Sequence, residues 1–146
     1  MTHELSNDPH ALSRFVSAQE KTFNTALTEL KRGKKESHWM WFIFPQIEGL
    51  GHSSMTQRYA IKSPEEARAY LEHLILGPRL LECCNALLAV KGKSAANIMG
   101  SPDDLKLSSS MTLFSRVAAD KSVFERVLEF YDDGKTDQKT LALLNR

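Results

Sequence analysis

The chain has 146 residues, the size of one domain, and its nineteen Lys+Arg against eighteen Asp+Glu leave a formal charge of +1. That near-balance excludes a strong overall field for nucleic acid or anionic lipid, so any charged partner has to be held by a local patch. Hydrophobic residues at 42% and charged residues at 25% exclude the composition of a disordered chain and predict a folded core that needs neither metal nor disulfide.

Residues 1–7 read as a flexible N-terminal tail, without the apolar run of a signal peptide, and no stretch approaches the roughly 20 apolar residues of a membrane span. The expectation is a soluble, cytoplasmic protein. Asp8-Pro9 offers an N-cap followed by proline at the first helical position, and Leu12, Phe15, Val16, Phe23, Leu27 and Leu30 then form one stripe of a single first helix. Lys31, Arg32, Gly33, Lys34 and Lys35 place cations and a glycine at its end, where they stop a helix; this reading is preferred to a nucleic-acid contact.

Ser37 to Gln46 reads Ser-His-Trp-Met-Trp-Phe-Ile-Phe-Pro-Gln and holds both tryptophans. Its length suits a buried strand, but Ser37 as a cap and helices on either side predict a short buried helix ended by Pro45. From Gln46 to Ser63 the glycines and serines predict a loop arching over something, either a lid or a plain connection.

Ser63-Pro64-Glu65-Glu66 is a capping box that opens a helix at Pro64. Gly77-Pro78 breaks that helix and starts another, with Leu80, Leu81, Cys84, Leu87 and Leu88 on one stripe. Cys83 and Cys84 are adjacent, too close for an ordinary disulfide, and read as free structural thiols. Ser94 caps a short turn closed by Gly100, Ser101-Pro102 repeats the cap-plus-proline device, Ser122 opens a long helix, and Asp137 caps a short last one. The prediction is an all-α, single compact domain of about six to eight helices over 1–146, with no repeat and no hairpin signal.

Candidate functional residues gather around the aromatic run. Trp39 and Trp41 are apolar enough to be core and flat enough to stack on a ring. His38, Gln46, Arg58 and Tyr59 flank the run, and burying any of them without a partner costs on the order of 1–3 kcal/mol. Lys106 followed by Ser108, Ser109, Ser110 and Thr112 places a cation and several hydroxyls near a helix start suited to an anion; the plainer reading is that the serines cap and kink a helix whose leucines pack inward. His3, His10, His38, His52 and His73 show no metal-ligand spacing, and neither a metal nor a cofactor signature is found.

Ser37–Gln46, Gln57-Arg58-Tyr59-Ala60-Ile61, Ser101–Leu107 and Ser109–Phe114 together resemble the bacterial domain of unknown function 1810 family. The likeness runs through Ala67–Leu71 and Leu76–Leu80 to the last helix. It implies a compact helical domain standing alone and no established activity. Some members carry the label calpastatin, an inhibitor built of repeats that are disordered until bound; the globular, repeat-free composition here gives no ground for that function. One departure is Ser108, where the family pattern is often basic, so Lys106 has less help in holding an anion.

Two functions follow. The first is a ligand-binding domain, with a reaction class left open, in which Arg58 and Lys106 hold a small anionic or nucleotide-like molecule, Trp39 or Trp41 stacks on it, Gln46, Tyr59, Ser109, Ser110 and Thr112 complete the pocket, and His38 transfers a proton. The second is a non-catalytic regulatory or protein-interaction module in which these polar groups satisfy one another.

Overall fold

The computed structural model describes residues 8–146, so the tail expected at 1–7 lies outside the described residues. Ten helices follow in order: α1 (Ser13–Glu20), α2 (Phe23–Arg32), α3 (Met40–Ile43), α4 (Ser54–Tyr59), α5 (Pro64–Glu72), α6 (Leu76–Ala89), α7 (Ala95–Met99), α8 (Asp103–Val117), α9 (Ser122–Asp132) and α10 (Gln138–Leu144). Among the described residues there is no strand, only an isolated parallel bridge between Ile47 and Ile61, and no helix is long and apolar enough to cross a membrane. The all-α single domain stands.

The ten helices among the described residues exceed the six to eight expected, for two reasons. The predicted first helix is two: Thr22 turns its Oγ1 back to the Ala18 carbonyl at 2.7 Å, so α1 stops and α2 begins at Phe23. The Gln46–Ser63 connection holds α4, whose start is capped by Ser53 accepting the Thr56 N–H.

Several starts also shift. Asp8 accepts the N–H groups of Leu12 and Ser13 at 2.7 and 3.0 Å, so it caps from a distance while Pro9 lies in a turn. The Pro64 helix ends at Glu72, and the break falls at His73–Ile75 rather than Gly77-Pro78. Pro78 fits inside the first turn of α6 because that turn's N–H groups lack intrahelical partners anyway. Ser37 does not cap α3, its hydroxyl being spent on Glu29, and α8 opens without a Ser101 cap. α9 does begin at Ser122 as expected, with Asp120 accepting the Ser122 N–H and O–H. Ser63, Ser94 and Asp137 cap as their sequences predict.

Two helices organise the packing. α8 is flanked by α5, α7, α9 and α10, and α6 by α2, α5 and α9. Through the middle runs a chain of aromatic rings: Phe42, Tyr59, Phe15, Tyr70, Phe114 and Phe124 follow one another with centroids 5.1–5.8 Å apart. At the centre Gln19 donates to the Phe42 carbonyl (2.7 Å) and to the Tyr70 hydroxyl (3.0 Å), tying α1, α3 and α5 together. The expected free thiols are buried on α6, where burial pushes Cys83 up to about 12 and Cys84 well above its ordinary range.

Candidate functional site

α2 ends in a Schellman turn, with Gly33 at φ 72°, the Gly33 N–H on the Leu30 carbonyl and the Lys34 N–H on the Glu29 carbonyl. This turn sends the chain back across its own helix, so that Glu29 meets the start of the aromatic segment. Its Oε1 accepts from the backbone N–H of Glu36 (2.9 Å) and Ser37 (3.0 Å) and from Trp39 Nε1 (2.9 Å), and its Oε2 from the Ser37 hydroxyl at 2.6 Å. Burial by itself raises a carboxyl's pKa, but these four donors outweigh it and hold Glu29 at about 2.

Lys35 follows. Its ammonium donates to the Ser37 carbonyl at 2.6 Å, pairs with Asp103 at 2.9 Å and lies 4.8 Å from the Trp39 ring centre. Lys106, one turn along α8, reaches the same carboxylate at 3.6 Å and sits 5.5 Å from the ring of Trp41. Thus Trp39 is wholly buried, Trp41 half-buried, and His38 exposed.

Three of the predicted residues, Trp41, Gln46 and Tyr59, do come together with Thr56 around one recess. Its volume is about 10 Å³, the lower limit for a single water. The serines point elsewhere. Ser109 donates to Asp137 at 3.1 Å and Thr112 accepts the Asp137 N–H at 2.9 Å, which fastens α10 to α8. Ser110 is wholly buried and its hydroxyl has no partner among the described residues.

Arg58 lies on the other side of α4, its guanidinium 5.5 Å from the Tyr59 ring centre, and borders a separate cleft of about 330 Å³ between the 9–14 segment and the start of α5. In its wall Arg14 places all five N–H donors: on the carbonyls of Arg58 (2.8 Å), His10 (2.7 Å), Ala11 (2.9 Å) and Ala60 (2.9 Å), and on the Glu66 carboxylate at 2.7 Å. Glu66 also accepts the Lys62 N–H at 3.0 Å. The buried carboxylate is therefore neutralised within the wall, and Arg58 and Lys62 are exposed at the cleft without an ion pair among the described residues. Arg58 and Lys106 thus serve different places. Lys62, His10 and Arg14 were not singled out by sequence; the cue was an arginine and a glutamate, 52 residues apart, falling on otherwise apolar helix faces.

A larger cleft of about 520 Å³ lies between the end of α8, α9 and the turn after it, where Glu125, Glu129 and Asp133 share the wall with Arg116 and Lys121. Its charges are mixed, and Lys121 already pairs with Glu125 at 4.0 Å.

Residues 9–144 match the model of a family described as protein of unknown function (DUF1810). The chain belongs to the DUF1810 family. A solved structure similar to it is that of the conserved hypothetical protein Rv1873 from Mycobacterium tuberculosis, 50% identical, with a TM-score of 0.94 over 95% of this chain and 99% of that one. A comparison with curated proteins gives no match. Neither the DUF1810 description nor that of the solved structure names an activity.

Proposed function

We propose that this DUF1810 member binds a small anionic molecule, such as a phosphate ester or nucleotide-like compound, in the cleft at the N-terminal end of α5. The observation that carries the reading is the charge of that cleft. Its one buried carboxylate, Glu66, is matched by Arg14, so the charges of Arg58 and Lys62 are left for a ligand. Ser63 accepts the Glu66 N–H at 3.0 Å and has a hydroxyl proton to donate into the cleft. Tyr59 supports the Arg58 guanidinium from beneath.

The reading is one of binding and assigns no reaction. It is tested by thermal shift at constant ionic strength with inorganic pyrophosphate and ADP as probes. Binding at 100 times Kd raises stability by about 2.7 kcal/mol, and Arg58→Met and Lys62→Met should each remove most of that gain while leaving the unliganded protein nearly as stable. A wild-type protein that neither probe stabilises, or a gain that both variants retain, overturns it. The alternative of an interaction module draws on a different observation, the large aliphatic side chains exposed at the opposite end of α5.

A further inference from the structure

The C-terminal end of α5 leads into a turn whose Leu74 is 92% and Ile75 42% exposed, and Leu81, in the second turn of α6, is 41% exposed. Single exposed leucines are ordinary on protein surfaces, whereas several large aliphatic side chains at one junction are a patch. The turn is held in place. His73 Nδ1 accepts the N–H groups of Ile75 (3.1 Å) and Leu76 (3.3 Å), and a Cβ on Gly77 would stand 2.2 Å from the Leu71 carbonyl oxygen, so α5 and α6 meet backbone to backbone there. Beside the turn runs a groove of about 220 Å³, lined by Leu71, Gly77, Leu81 and Phe124, with Arg68 and Glu72 also in its wall.

We propose that this face is the contact between two copies of this chain related by a two-fold axis, with Leu74 of each copy seated in the groove of the other. Three observations favour a second copy over an unrelated partner. Protrusion and groove are close in the chain, since Leu71 and Gly77 line the groove and Leu74 lies on the short turn between them; a two-fold arrangement in which each Leu74 enters the other groove uses both at once. The groove, at about 220 Å³, is large enough to receive a leucine side chain. Arg68 and Glu72 lie one turn apart on α5, and neither is ion-paired among the described residues, so antiparallel α5 helices bring Arg68 of one copy opposite Glu72 of the other. Glu72 and Asp120 at the groove disfavour an anionic membrane.

Sedimentation velocity from low-micromolar to sub-millimolar concentration tests it. The wild type should pass from monomer to dimer, and Leu74→Asp should weaken association by at least about tenfold with an unchanged melting temperature, because the side chain is in water in the monomer. Arg68→Glu should also weaken it, and adding Glu72→Arg should restore it. A wild type that is monomeric throughout, or a dimer indifferent to Leu74→Asp and to the charge swap, overturns the proposal. Pyrophosphate stabilisation of Leu74→Asp, read in parallel, reports on the cleft at the other end of α5 and separates the two readings.

Discussion

The Glu29 carboxylate accepts the indole N–H of Trp39 at 2.9 Å, and that contact, with three further donors to the same side chain, locks the end of α2 to the start of the aromatic segment. A charge buried in this way acts as a pH-dependent clamp. Its folded pKa, about 2, lies below the ordinary value of 4.5, so the stabilisation is complete above the ordinary value and is lost as pH falls through the folded one. It amounts to roughly 3 kcal/mol at neutral pH. Urea midpoints measured downward from about pH 5 should fall more steeply in the wild type than in Glu29→Gln, which retains the shape and has no such proton to bind. Parallel acid limbs would refute the clamp.

The two tryptophans should differ. Trp39 is fully buried and hydrogen-bonded, so Trp39→Ala should cost about 3–5 kcal/mol, whereas half-buried Trp41 should cost clearly less. Equal losses in denaturant midpoint would contradict this assignment.

Asp103 is shared unequally by two lysines, Lys35 at 2.9 Å and Lys106 at 3.6 Å. Lys35 is almost wholly buried and also donates to the Ser37 carbonyl, so Lys35→Met should destabilise by about 1–3 kcal/mol through loss of the closer partner and of that hydrogen bond. Lys106→Met leaves that pair intact and should cost about 1 kcal/mol or less. The comparison is made by chemical denaturation of both variants in one buffer.

The buried, partnerless hydroxyl of Ser110 is a small standing cost. Ser110→Ala removes a polar atom without removing a hydrogen bond, so stability should be unchanged or rise by about 1 kcal/mol. A marked loss in melting temperature would mean the hydroxyl has a partner after all.

Thiol chemistry gives an independent reading of the core. With Cys83 and Cys84 buried and burial pushing both thiols up, a disulfide-exchange reagent at mildly alkaline pH should label neither in the native protein and both in urea. Rapid native labelling would show that α6 opens readily.

Much of the fold was legible because its signals are local. Ser63, Ser94 and Asp137 each accept an N–H three residues ahead, a relation wholly contained in one turn of sequence, and the apolar stripes of α6 and α9 repeat at helical spacing. Even so, Thr22 shows how a short polar side chain moves a helix end by bonding the backbone, since nothing in periodicity tells whether its hydroxyl will do so.

The sequence by itself determined a helical single domain, the helix starts at Ser63, Ser94, Ser122 and Asp137, an aromatic core and a set of polar residues in need of partners. Which partners they found was decided by tertiary structure. Arg14 reaches carbonyls and a carboxylate 44 to 52 residues away, and only that convergence neutralises Glu66 and leaves Arg58 and Lys62 facing an open cleft. Lys106, grouped with Arg58 by sequence, instead joins Lys35 on Asp103. The reason is physical: a cap or a stripe is set by backbone geometry within a few residues, whereas the partner of a buried charge is whichever group the packed chain brings within hydrogen-bond reach.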